Sequence, residues 1–145
     1  MRRLFWRALL LIAIMAAASA CDNNNNTSTP TSPTIPTVLT ETFSGTLLKN
    51  AAYTHPFSVT DAGDVSVFLL QSVDPARPDN NTIPIGVSLG TWNGASCSVV
   101  IASDNISPGA SLTGRATAAG NLCVRVYDVG FVPGAANYEL LIDHF

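Results

Sequence analysis

From residue 41 onward, apolar side chains come in short runs dominated by Val, Ile, Leu, Phe and Thr, each cut off by Gly, Pro, Asn or Asp. No run sustains the 3.6-residue period of an amphipathic helix, whereas several alternate apolar and polar positions with a period of two. The pattern predicts strands over 42–48, 53–60, 64–72, 85–91, 97–102, 111–118, 122–128 and 137–143. Eight short strands of this kind predict an all-β domain, a single jelly-roll-like β-sandwich with antiparallel pairing.

Alternation is clearest at Tyr53, Phe57 and Val59, at Leu122, Val124 and Val126, and at Tyr138, Leu140 and Ile142. The pleat turns each set toward one face and so toward the core. Two runs, Asp64–Leu70 and Ser98–Ala102, are apolar on both faces for part of their length, which predicts central rather than edge strands. Turn-forming residues fall between the runs, at Asp61-Ala-Gly63, Asp74-Pro75 through Pro84, Asn93-Gly94, Ser107-Pro-Gly109, Gly120-Asn121 and Pro133-Gly134. Asn93-Gly94 is the strongest hairpin signal, because both residues tolerate the positive φ that a tight turn demands.

Ahead of residue 41 the pattern changes twice. Residues 1–20 hold a cationic stretch (Met1-Arg-Arg-Leu-Phe-Trp-Arg7), an apolar stretch from Ala8 to Ala17 and a small-residue tail, Ala18-Ser19-Ala20. That order predicts an export signal helix, too short in its apolar part for the roughly 20 residues of a membrane span. Cys21 follows at once, and Ala18-Ser19-Ala20-Cys21 resembles the lipobox of bacterial lipoproteins, with Ala18 where Leu is usual. The resemblance implies that Cys21 is diacylated through sulfur and becomes the first mature residue, with each buried acyl methylene contributing about 0.8 kcal/mol to anchoring. Asp22 resembles an inner-membrane retention signal of enteric lipoproteins, but the choice of membrane stays open. An ordinary signal peptide and an uncleaved anchor helix are the competing readings. The stretch 21–40, with its Asn run and spaced Pro30, Pro33 and Pro36, predicts a disordered tether reaching about 25 Å as a coil and about 60 Å if extended. The expected organisation is therefore signal 1–20, lipidated Cys and tether 21–40, and sandwich 41–145.

Charge removes one class of partner. Of a net −3 over 145 residues, Arg2, Arg3 and Arg7 belong to the leader, which leaves four basic groups against ten acids and argues against nucleic acid. With 47% hydrophobic and only 12% charged residues, wholesale disorder is excluded. Three cysteines are present. With Cys21 assigned to lipid, Cys97 and Cys123 form an even pair in an oxidising compartment, which predicts a disulfide, and no C-x-x-C or nearby His spacing suggests a metal instead.

The segments Phe43-Ser-Gly-Thr-Leu47, His55-Pro-Phe-Ser-Val59, Gly63-Asp-Val-Ser-Val67, Gly120-Asn-Leu-Cys-Val-Arg-Val126 and Tyr138-Glu-Leu-Leu-Ile142 resemble, in that order, the bacterial pre-peptidase C-terminal domain. That family is a small jelly-roll sandwich attached to exported proteases and other secreted proteins, and the resemblance implies an accessory role. It departs where members carry an Asp-x-Asp-Leu segment, since this chain reads Ile85-Gly-Val-Ser-Leu-Gly90 and so lacks aspartates for a calcium or ligand role there.

Catalytic residue types are sparse. His55 alternates with Tyr53 and Phe57 in a strand pattern and reads as structural, and His144, next to last, is expected to fray. No serine sits in a G-x-S-x-G elbow and no carboxylate pair suggests a glycosidase. Asp74, Asp79, Asn80 and Asn81 in one loop, with Asp61 and Asp64 in another, offer hard oxygen ligands for Ca²⁺, but the same residues make turns, and no metal or cofactor is expected. Trp92 beside the Asn93-Gly94 turn, with Tyr127 and also Tyr53 and Phe131 in the same domain, could stack on sugars or simply pack. The reading is a non-enzymatic, lipid-anchored binding or accessory module of a bacterial cell envelope. Its partners are the membrane, through acylated Cys21, and an envelope protein or glycan. A carbohydrate-binding module using Trp92 and Tyr127 is the alternative, and a small hydrolase or calcium-dependent domain the remote one.

Overall fold

A computed structural model describes residues 36–77 and 82–145. The eight strands form as the alternation predicts: β1 (Leu39–Leu48), β2 (Ala52–Val59), β3 (Gly63–Val73), β4 (Ile85–Trp92), β5 (Cys97–Ile106), β6 (Ser111–Ala116), β7 (Gly120–Tyr127) and β8 (Ala135–His144). They make two four-stranded antiparallel sheets, ordered β1-β8-β3-β6 and β2-β7-β4-β5. Successive strands mostly change sheet, and only β4 and β5 are sequence neighbours that pair, which is the jelly-roll arrangement. Asn93-Gly94 makes that one hairpin. Gly94 has φ 95°, and the Asn93 side-chain oxygen accepts hydrogen bonds from the Ala95 and Ser96 amides at 2.9 and 2.8 Å.

The core lies between the sheets and is built by alternate residues. Val65, Val67 and Leu69 of β3 and Tyr138, Leu140 and Ile142 of β8 face Ile85, Val87 and Leu89 of β4 and Val124 and Val126 of β7, all buried. Each such Val, Leu or Ile contributes about 1.5–3 kcal/mol by leaving water. Phe57 and Val59 join the core as expected, and Leu122 packs against it half-buried. Tyr53 does not, at 38% exposure. It lies on β2, the edge strand of its sheet, where a side chain is covered from one flank only.

Of the two runs expected to be central, β3 is, lying between β8 and β6. The other is a correction: Ser98–Ala102 belongs to β5, an edge strand, and Val99 and Val100 are 47% and 71% exposed. A register shift between Leu89 and Gly90 turns this part of β5 out of the regular pleat, so only Ile101, opposite Leu89, reaches the core. His144 corrects a second expectation. Rather than fraying, it is 1% exposed, and its Nε2 meets the Glu41 carboxylate at 2.9 Å. The chain end is fastened further by the Phe145 carbonyl, which accepts from the Thr60 amide at 2.8 Å, and by the Phe145 ring, which occupies the space a side chain on Gly63 would need.

Cys97 and Cys123 are bonded, with Cα atoms 5.8 Å apart. The bridge joins β5 to β7, which are not neighbours, and therefore crosses β4. Gly90 makes this possible. It pairs with Cys123, and a Cβ on it would stand 2.2 Å from the Ser98 carbonyl oxygen, so the start of β5 rides over β4 in the space where a side chain would project. Closing a loop of sequence separation 26 stabilises the fold by about 3.5 kcal/mol in the chain-entropy picture. Replacing both cysteines by serine is expected to lower the melting temperature by about 15 °C or more, followed by circular dichroism, and a drop under about 3 °C would contradict the bracing role.

Candidate ligand-binding face

The inner face of the β2-β7-β4-β5 sheet belongs to the core, so chemistry is left to its outer face. Period two puts Cys123, Arg125 and Tyr127 of β7 on that side, with Val124 and Val126 pointing inward. The pairing register sets Arg125 between Thr54 of β2 and Ser88 of β4, and Tyr127 between Ala52 and Gly86. Small residues on β4 keep the surface low. A Cβ on Gly86 would come within 2.2 Å of the Tyr127 ring, so the ring lies across the glycine backbone.

Two acids fix the frame. The Tyr127 hydroxyl donates to the Asp104 carboxylate of β5. Partial burial, this hydrogen bond and the Asp104 charge together push the phenol up to about 12, with Arg125 opposing, so it remains a protonated donor and a rigid platform. Beyond β7, Asp128 accepts the amides of Asn50 (2.8 Å), Gly130 (2.7 Å) and Val132 (3.1 Å). Burial alone would raise its pKa, but the backbone donors outweigh it and hold the carboxyl below its ordinary range. Asn50 takes the left-handed conformation, φ 59°, which Asn tolerates better than most residues.

Three hollows run along this face. One of about 540 Å³ is bordered by Asn50, Ser88, Ala102, Arg125, Tyr127 and Asp128. A second of about 330 Å³ lies between Thr54, Trp92, Ser96 and Arg125, and a third of about 470 Å³ between Pro56, Ser58, Trp92, Asn93 and Asn121. Arg125 is shared by the first two and Trp92 by the last two. The half-buried Trp92 is therefore a ridge with polar neighbours on both flanks. Arg125 is exposed and, among the described residues, has no ion-pair partner within 4.0 Å. Ser88 is 1% exposed, and its hydroxyl has no hydrogen-bond partner.

The sequence singled out Trp92 and Tyr127, and the fold brings both to this face. It did not single out Arg125, Ser88 or Asp104. Arg125 was legible, because Val124 and Val126 assigned to the core force residue 125 outward beside Tyr127. Phe131 is elsewhere, 58% exposed in the β7–β8 loop, and Tyr53 belongs to the opposite side of β2, facing the seam between the sheets. Cys21 lies outside the described residues.

The remaining candidates are engaged otherwise. His55 shares a 2.8 Å hydrogen bond with the Tyr138 hydroxyl and stacks on Phe43 at 5.0 Å between centroids. Burial lowers the His55 pKa, and burial, then the nearby Tyr53, raises that of Tyr138. The imidazole and the buried phenol, bordering none of the hollows above, form a polar tie across the seam. Asp64 pairs with Arg115 at 3.0 Å, and Asp74 accepts the Ala76 amide at 2.9 Å. Asp79, Asn80 and Asn81 lie outside the described residues, and among the described ones no three His, Cys, Asp or Glu side chains converge as metal ligands.

No family model matches the chain, and no curated protein is similar to it. Among solved structures it is similar to a chain described in "Bacillus endospore appendages form a novel family of disulfide-linked pili", at 11% identity and a TM-score of 0.38, over 74% of this chain and 88% of that one.

The lowered His55 pKa has a sign. The unfolded chain takes up a proton near the ordinary value of about 6.5 and the folded one only at lower pH, so stability falls as pH drops below that value. His55→Gln retains a hydrogen-bonding group for Tyr138 without titrating. Between pH of about 7.5 and about 5 the melting temperature of the native chain is expected to fall more than that of the variant, and parallel curves would refute the assignment.

Proposed function

We propose that this chain is a lipid-anchored, non-enzymatic binding or accessory module of a bacterial cell envelope. The observation that carries the reading is the Cys97–Cys123 bridge. Structural disulfides persist in oxidising compartments, which supports export. The bridge also uses two of the three cysteines and leaves Cys21, directly after Ala18-Ser19-Ala20, as the remaining thiol. Two or three acyl chains there give firm attachment where one would bind marginally. The resemblance to the pre-peptidase C-terminal domain belongs to the same proposal, and the jelly-roll strand order supports it.

What the described face offers is recognition. Tyr127 does not ionise near neutrality, and the Ser88 hydroxyl has no hydrogen-bond partner that could serve as a base. A second reading, saccharide binding, is favoured by one specific observation: Trp92 and Tyr127 share a single outer face with polar groups between them. Anchoring is tested by metabolic labelling with palmitate in a bacterial host. Label is expected on the native chain and absent from Cys21→Ser, which should also retain its leader and run larger on a denaturing gel. Equal labelling, or an unlabelled variant of the same size as the native chain, would remove the lipoprotein reading.

A further inference from the structure

We propose that the outer face of the β2-β7-β4-β5 sheet binds an anionic polysaccharide, with Trp92 and Tyr127 as stacking platforms and Arg125 as the residue that selects a uronate carboxylate. The inference rests on the saccharide-binding reading above and adds the ligand's charge and length.

Length follows from the register. Tyr127 stands opposite Gly86, and Trp92 lies six residues further along β4, a separation of about 20 Å at roughly 3.3 Å per residue. One sugar ring cannot touch both aromatics, whereas a chain of several rings can, each platform covering an apolar ring face. The three hollows follow one another along the face through their shared borders Arg125 and Trp92; in the third, Ser58 donates to Asn121 at 2.8 Å, which leaves the Asn121 amide donors for ring hydroxyls.

Charge follows from what is already satisfied. Asp104 accepts from the Tyr127 hydroxyl, and Asp128 accepts three backbone amides. The two acids are engaged as acceptors by neutral donors and keep their distance from Arg125, whose guanidinium, with five donors in a planar fork, has no carboxylate within 4.0 Å among the described residues. Their charge opposes an anion elsewhere on the face and so leaves Arg125 as its one cationic contact there. That fork matches a carboxylate bidentately. Ser88, opposite Arg125 in the register, lies at the floor of the same hollow with its hydroxyl buried and unpartnered, beneath rather than beside the ligand path. Beyond the leader, four basic groups against ten acids leave a net −6, which works against long-range attraction of an anion, so selection depends on this short-range contact.

The test uses the full-length chain in mild detergent with oligogalacturonate long enough to span the face, beside the same oligosaccharide fully methyl-esterified, which keeps the sugar and removes the charge. Isothermal titration is expected to show tighter binding of the acidic form, weakening as salt rises. Arg125→Gln should raise Kd for the acidic form by about tenfold to a hundredfold and change that for the neutral form far less. Trp92→Ala should weaken both forms. Arg125 is exposed, so its variant is expected to keep the native melting temperature, which confirms that a loss is local. If both forms bind equally, or Arg125→Gln binds the acidic form unchanged, the charge inference fails while saccharide binding stands. If neither form binds, and a panel of neutral glucans and mannans also gives no heat, the saccharide reading itself fails.

Discussion

The crossing of β5 over β4 is the contact on which the rest of this architecture turns. Sheets hold together by pairing neighbours, yet the covalent tie here skips one strand and joins β5 to β7. Such a tie fits only if the strand between offers no side chain, and Gly90 meets that condition. The bridge thereby secures an edge strand whose Val99 and Val100 face water and whose core contribution is small. An exposed apolar edge invites pairing with other chains. Here the register shift bends the edge out of the plane, and the bridge holds it there. The same crossing places Trp92, which pairs with Cys97, at the rim of the outer face.

How much of this was legible depends on whether the signal was local. Pleat alternation is local, and it gave all eight strands, the inward sets on β7 and β8 and the Asn93-Gly94 hairpin. The cysteine pairing followed from a count. Strand order within a sheet is not local, and the misplaced residues are those whose environment depends on it. Ser98–Ala102 is apolar on both faces, which reads as central, but nothing nearby in sequence shows that β5 has a partner on one flank only. Tyr53 carried the right alternation on a strand that proved to be an edge. His144 looked like a loose end because its partner, Glu41, is 103 residues away.

The candidate face was half legible for a related reason. Trp92 and Tyr127 stood out by residue type. Arg125 and Ser88 matter only because β7 and β4 are neighbours in a known register, so that two unpaired polar groups meet across the sheet. The small residues of Ile85-Gly-Val-Ser-Leu-Gly90 were read as a missing aspartate motif. In the fold they lower the surface so that Tyr127 can lie across Gly86 and the start of β5 can cross Gly90.

A comparison of the two outer faces shows why recognition belongs to one of them. On the β1-β8-β3-β6 sheet, polar groups answer one another across strands: Thr40 donates to Asp143 at 2.6 Å, Thr46 to Asn137 at 2.9 Å, Ser66 meets Thr113 at 3.2 Å and Arg115 pairs with Asp64 at 3.0 Å. A ligand there would have to displace contacts already made, and cross-strand pairs of this kind support the sheet. On the β2-β7-β4-β5 sheet one such pair, Ser58 with Asn121 at 2.8 Å, closes the end of the face, while its centre holds Arg125 and Ser88 without such partners, over glycines rather than long side chains. An exposed group such as Arg125 gives up only water when a ligand hydrogen-bonds to it, so no bond within the protein is lost against the one gained. The sandwich thus divides its labour by sheet: one outer face closed on itself and stabilising, the other open, shallow and rigidly framed by Asp104 and Asp128.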